Sequence, residues 1–187
     1  VMHAEAALEQ SGLAFLPLSA LAPGAHNLLV LRSRLGVRNS AHSLVKMLDP
    51  FGGEGVLVAA ATHPEFLDLM RNMLLALDRR GILLRCSEGE PFANPKRRPR
   101  LEFIHDDRVD VLFEAEHDSL RALPHLPEAA DAASTAVWIG RVLDRQVPLP
   151  KPIANQLACC LYACGRATDF HQAKALVAVE GNGLAMV

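Results

Sequence analysis

Four cations stand within five residues at Lys96-Arg97-Arg98-Pro99-Arg100. Arginine presents a planar fork to phosphate oxygens and lysine a point charge. The run therefore has the chemistry of a phosphate site, with contacts that depend on salt and are blind to base sequence. The plain alternative is a solvated loop neutralised by the acidic stretch that follows it. Phe92 and Asn94 lie just upstream. An aromatic ring beside cations can stack on a base, although a single loop phenylalanine is expected here to plug into the core.

Two further groups bring polar side chains together. Arg38-Asn39-Ser40-Ala41-His42 sits at an expected helix start. Helix N-termini attract anions, so Arg38 is a candidate anchor for a carboxylate or phosphate, with His42 one turn further on. Ser40 reads as the N-cap. On spacing alone His42 reads as an ordinary surface or core histidine. Ser87-Glu88-Gly89-Glu90 follows an expected strand. Ligands of open α/β sheets bind at the carboxyl ends of strands, and Glu88 and Glu90 are candidate oxygen ligands for Mg²⁺. Without a third ligand the stretch reads first as a polar turn. Gly52-Gly53-Glu54-Gly55 precedes a strand rather than opening a helix after one, so it is a poor phosphate loop.

The cysteines are Cys86, Cys159, Cys160 and Cys164. Three fall in one apolar helical stretch, where cysteine behaves as a small hydrophobe. Cys160 and Cys164 share a helix face, but His171 alone does not complete a metal set. Buried, reduced thiols are expected, which fits a cytoplasmic location.

The elements that must position these groups follow from periodicity. Helices are expected over Met2–Gln10, from Pro23 to Gly36, and from Ser40 to Leu48. Val56–Ala60 reads as a buried strand. Thr62 with Glu65 forms a capping box opening a helix to about Arg80, with Phe66, Leu67, Met70, Met73, Leu74 and Leu77 at helical spacing. Ile82–Leu84 is the next strand, parallel to the first because a helix connects them. The stretch from Glu88 to Arg100 carries Pro91, Pro95 and Pro99, so it is a long loop. Leu101–Ile104 and Val109–Phe113 read as strands about a turn at His105-Asp106-Asp107. Helices Glu128–Asp144, Ile153–Cys164 and one capped by Asp169 to about Glu180 complete the chain.

The 187 residues are 50% hydrophobic with a formal net charge of −2. That composition excludes a disordered or collagen-like chain, and no apolar run is long enough for a membrane span. The near-neutral total hides a segregation. Residues 79–100 hold seven Lys and Arg against two Glu, and residues 101–131 hold nine acids against two Arg. The small total does not exclude an anionic partner.

Four stretches carry a family likeness: Leu35–Phe51 (LGVRNSAHSLVKMLDPF), Thr62–Phe66 (THPEF), Cys86–Arg100 (CSEGEPFANPKRRPR) and Asp131–Ala167 (DAASTAVWIGRVLDRQVPLP to NQLACCLYACGRA). In this order they resemble the anthranilate phosphoribosyltransferase superfamily (glycosyl transferase family 3), and most closely its divergent YbiB-type branch. The resemblance implies an α/β fold: a mostly parallel sheet flanked by helices, of the phosphoribosyltransferase and nucleoside phosphorylase type. It also implies two or three helices of an incomplete helical domain. Residues 1–50 would be the remnant of that domain and the hinge, and residues 51–187 the α/β domain. In the family, phosphoribosyl pyrophosphate and Mg²⁺ bind between the two.

The departures shape the functional expectation. The family's Gly-rich diphosphate loop, and the Lys-His-Gly-Asn stretch after it, fall upstream of these residues. The Arg that faces anthranilate in the family matches Arg38. The stretch whose adjacent Asp-Glu pair holds Mg²⁺ appears here as Arg85-Cys86-Ser87-Glu88-Gly89-Glu90, without that pair. In the divergent branch the resemblance implies non-catalytic nucleic-acid binding through a basic groove, with Lys96, Arg97, Arg98 and Arg100 on phosphates. The alternative is a phosphoribosyltransferase, using phosphoribosyl pyrophosphate and Mg²⁺, of which this chain is the C-terminal portion. In it, Arg38 and His42 would meet the acceptor, and this chain alone would be inactive. An apolar side of residues 1–50, covered by upstream chain or by a second subunit in a dimer, is also expected.

Overall fold

The computed structural model describes residues 2–86, 90–117, 126–127 and 129–180. The chain divides into two compact units, Val1–Gly52 and Gly53–Val187.

The first unit is helical. It contains α1 (Met2–Ser11), α2 (Leu18–Leu21), α3 (Pro23–Val30), α4 (Arg32–Leu35) and α5 (Ala41–Leu44), which runs into a 3₁₀ turn at Val45–Met47. The helix expected from Pro23 to Gly36 is broken at Leu31, and Gly36 closes it with φ 70°, the left-handed conformation glycine adopts at little cost. Ser40 is not the cap of α5, because its own backbone is already helical. Asn39 takes that role: its Oδ1 accepts from the Ala41 amide at 3.0 Å, while its Nδ2 donates to the Leu28 carbonyl at 2.8 Å. Ala41 is the one buried residue among those described in this unit, and Phe15 is 87% exposed.

The second unit is built on a four-stranded sheet in the order β1-β2-β3-β4: β1 (Leu57–Ala61), β2 (Gly81–Arg85), β3 (Leu101–His105) and β4 (Arg108–Phe113). The expected α/β class holds, but the sheet is mixed rather than mostly parallel. β1 and β2 are parallel, with Ala59 opposite Leu83, because α6 (Pro64–Ala76) crosses between them. β2–β3 and β3–β4 are antiparallel. The β3–β4 turn is the two residues Asp106 and Asp107, with φ 46° and 56°. Two left-handed residues match the twist of a tight hairpin.

Side chains alternate across the strands. Ile82, Leu84, Leu101 and Phe103 pack with Cys159 and Ala163 of α8 (Lys151–Ala163). Helix α6 packs against β1, β2 and β3 with Met70 and Leu74 buried. Gly81 admits that approach, since a Cβ there would lie 2.9 Å from a Leu74 methyl. Among the described residues the unit also contains helices α7 (Ala132–Leu143) and α9 (Phe170–Glu180), and α9 packs on α8.

Several expected boundaries shift. Helix α6 begins one residue later than a Thr62 capping box requires: His63 is the N-cap, no side chain caps the helix, and Pro64 opens it. Proline suits a first helical turn because its missing N–H would be unpaired there. The same helix ends at Ala76 rather than near Arg80, before Asp78 turns left-handed at φ 48°. Helix α7 starts at Ala132, where the Asp131 carboxylate accepts from the Ser134 amide at 2.8 Å; the expected start, Glu128, lies outside the described residues. Asp169 caps α9 as expected, accepting from the Gln172 amide at 2.8 Å. None of the helices among the described residues is long and apolar enough to cross a membrane.

Candidate anion-binding cleft

A cleft of about 580 Å³ opens at the carboxyl ends of the two parallel strands. Thr62 follows β1 and Cys86 follows β2; both line it. The proline-rich loop supplies Asn94, Arg97, Arg98, Pro99 and Arg100, and the segment after β4 supplies Ala115, Glu116 and His117. Among the described residues five arginines and two glutamates line it.

The loop is held by a side chain from α8. Gln156, itself buried, accepts from the Ala93 amide at 2.6 Å and donates to the Pro91 carbonyl at 2.8 Å. Ala93 is fully buried, whereas Phe92 is 52% exposed. The expected plug is thus Ala93 and not Phe92: the loop is pinned by its backbone, and the small side chain fills the space. Asn94 then turns the chain, its Oδ1 accepting from the Lys96 amide at 2.9 Å as asparagine does in turns.

The four cations of the loop have different fates. Lys96 and Arg97 are exposed and form no ion pair among the described residues, and only Arg97 lines the cleft. Arg98 is locked. Its guanidinium lies 4.6 Å from the centre of the Phe113 ring, its Nη1 is 3.2 Å from Glu116, and its Nε donates to the Glu114 carbonyl at 3.2 Å. Arg100 pairs through Nε with Glu102 at 2.8 Å and sets Nη1 3.7 Å from Glu114. Neutralisation by the acidic stretch is therefore real for Arg98 and Arg100.

Under the cleft lies a pairing that periodicity did not single out. Glu102 sits mid-strand opposite Leu83 and is 4% exposed. Arg71, from α6, donates to it through Nε at 2.8 Å and Nη2 at 3.2 Å, and pairs with Asp68 through Nη1 at 2.6 Å. The Glu102 carboxylate, then Asp68, holds the Arg71 pKa above its ordinary value. The signal was in the sequence: an arginine within the apolar stripe of a helix, and a glutamate within an otherwise apolar strand.

The remaining candidates are Arg38, His42, Glu88 and Glu90. Arg38 is exposed in the first unit, and His42 folds back so that Nδ1 is 3.2 Å from the Asn39 carbonyl. Glu88 lies outside the described residues; Glu90 is exposed at the start of the loop. Among the described residues no group of three His, Cys, Asp or Glu gathers as a metal site. The carboxylates that line the cleft, Glu102 and Glu116, are already held by arginines. Among the described residues the cleft thus offers guanidinium groups rather than unpaired carboxylates. Of the cysteines, Cys86 and Cys159 are buried, Cys160 is half-buried and Cys164 is exposed at the end of α8. All four are free thiols.

The fold is that of anthranilate phosphoribosyltransferase: the structure of that enzyme from Thermus thermophilus matches 97% of this chain with a TM-score of 0.67 at 22% identity. Among curated proteins, the chain is 36% identical over 176 residues, 94% of its length, to the uncharacterized protein YbiB of Escherichia coli strain K12. The chain spans 54% of the length of YbiB and 54% of the Thermus enzyme. No family model matches it.

Proposed function

We propose that this chain is part of a non-catalytic, nucleic-acid-binding member of the anthranilate phosphoribosyltransferase-like superfamily. It would hold phosphates without regard to base sequence. The observation that carries the reading is Arg97: an exposed guanidinium with no ion pair among the described residues, on the rim of a cleft lined by five arginines. Lys96 stands beside it, and the exposed Phe92 is available to stack on a base. In the same reading, chain beyond these 187 residues or a second subunit covers the exposed apolar side chains of the first unit.

The test is binding of a labelled oligonucleotide of mixed sequence between about 50 and 200 mM salt. Affinity falls steeply with salt in the wild type. In Lys96→Ala with Arg97→Ala the log–log slope drops by about 1.5, the loss of two phosphate contacts. Equal binding and an equal slope in the double variant overturn the assignment.

A further inference from the structure

Among the described residues three glutamates meet the arginines of the cleft, and they do so in different ways. Glu102 is buried and anchored by Arg71 and Arg100. Glu116 is a lock. It accepts from the Arg98 amide and pairs with the Arg98 guanidinium, each at 3.2 Å, and its own amide donates to the Arg98 carbonyl at 2.9 Å. Glu114 is neither. Its side chain is 72% exposed, and its carboxylate lies 3.7 Å from Nη1 of Arg100, beyond hydrogen-bond distance.

We propose that Glu114 is a carboxylate gate on Arg100, competing with a phosphodiester for that guanidinium and so setting how tightly the cleft holds its ligand. The inference rests on the nucleic-acid reading above. An exposed pair this long contributes little to stability, so little is lost when it opens. A phosphate makes shorter, bidentate contacts with arginine. Arg100 lines the cleft and, among the described residues, is tied down through Nε alone at hydrogen-bond distance, so the far edge of its fork can turn to a ligand. The Glu114 backbone does not have to move, because its carbonyl is held by Nε of Arg98. The gate is the side chain alone, and no loop rearrangement accompanies it.

The experiment compares wild type, Glu114→Gln, Arg100→Ala and the double variant with one labelled single-stranded oligonucleotide. Glutamine keeps the size of Glu114 and removes its charge. Glu114→Gln binds about three- to tenfold tighter at low salt, and its log–log salt slope steepens by about 0.7, one extra phosphate contact. The gain shrinks to less than about twofold when Arg100→Ala is also present. Unchanged affinity in Glu114→Gln, with a wild type that binds, overturns the gate and leaves the nucleic-acid reading standing. A gain that survives Arg100→Ala is a general charge effect and also overturns it. A wild type that binds no oligonucleotide overturns both.

Discussion

Arg71 and Glu102 meet through two parallel contacts, Nε to Oε2 at 2.8 Å and Nη2 to Oε1 at 3.2 Å, so that a helix and the middle of the sheet are joined by one fork. Glu102 is 4% exposed and carries a second arginine, Arg100. A buried carboxylate with good partners contributes less than its contacts suggest, because desolvation opposes the attraction; removing one partner is what costs. Arg71→Ala should therefore destabilise the protein by about 2–4 kcal/mol, while Arg71→Met combined with Glu102→Leu should cost less than either single change. Urea unfolding midpoints measure both. A double variant less stable than Arg71→Ala would show that the pair contributes net stability.

Gln156 ties the cationic loop to α8 from both sides, accepting from Ala93 and donating to Pro91. Gln156→Ala leaves the buried Ala93 amide without its acceptor, at a cost of about 1–3 kcal/mol. Hydrogen exchange should speed first at Ala93 and its loop neighbours, with the β-strands still protected. Uniform acceleration across the sheet would mean that Gln156 supports the whole core rather than this loop.

These two networks show where sequence reading reached and where it stopped. The strand–helix–strand unit, the hairpin and α8 were legible because apolar spacing is local and strong. The basic loop was legible as charge, but its division into two cations with no ion pair among the described residues and two paired ones was not. That division depends on Glu114 and Glu116, which are brought alongside only when β4 folds back. Phe92 illustrates the same limit: size favoured it as the buried residue, yet the backbone bonds of Gln156 placed Ala93 inward instead. Asn39 displaced Ser40 as a cap because it also reaches the Leu28 carbonyl, a partner eleven residues away.

Asp131 makes the start of α7 sensitive to acid. Its carboxyl is held below the ordinary 3.8 by the Ser134 amide and then the Ser134 hydroxyl. A carboxyl with a depressed folded pKa adds stability that is complete above its unfolded value and is lost as pH falls through the folded value. The cap should therefore be intact at neutral pH and loosen below about 3.8. Trp138, the single tryptophan, lies on α7 and reports on it by fluorescence. Asp131→Asn, which keeps an accepting oxygen, should flatten the acid limb of that titration. An unchanged limb would move the acid response to another group.

The thiols of α8 should react in order of burial. Burial pushes the Cys159 thiol up to about 12 and the Cys160 thiol up to about 11. Cys164 is exposed at the helix end. Since the thiolate is the nucleophile, iodoacetamide at mildly alkaline pH should modify Cys164 first, and Cys159 only on unfolding. Peptide mass spectrometry over time reads the order, and Cys164→Ser should remove the fast phase.

Arg97 and Arg98 are adjacent in sequence and should fail differently. Arg97 is exposed and forms no ion pair among the described residues, so Arg97→Ala should leave the unfolding midpoint in place. In the nucleic-acid reading it should weaken binding about three- to tenfold and lower the salt slope by about 0.7. Arg98 lies over Phe113, touches Glu116 and bonds the Glu114 carbonyl. Arg98→Ala should destabilise the protein by about 1–2 kcal/mol, and any loss of binding should follow from a loosened loop. Arg98→Lys should restore little, because lysine lacks the fork that reaches a ring, a carboxylate and a carbonyl together. If Arg97→Ala instead lowers stability as much as Arg98→Ala, Arg97 is a structural residue and the phosphate assignment loses its main support.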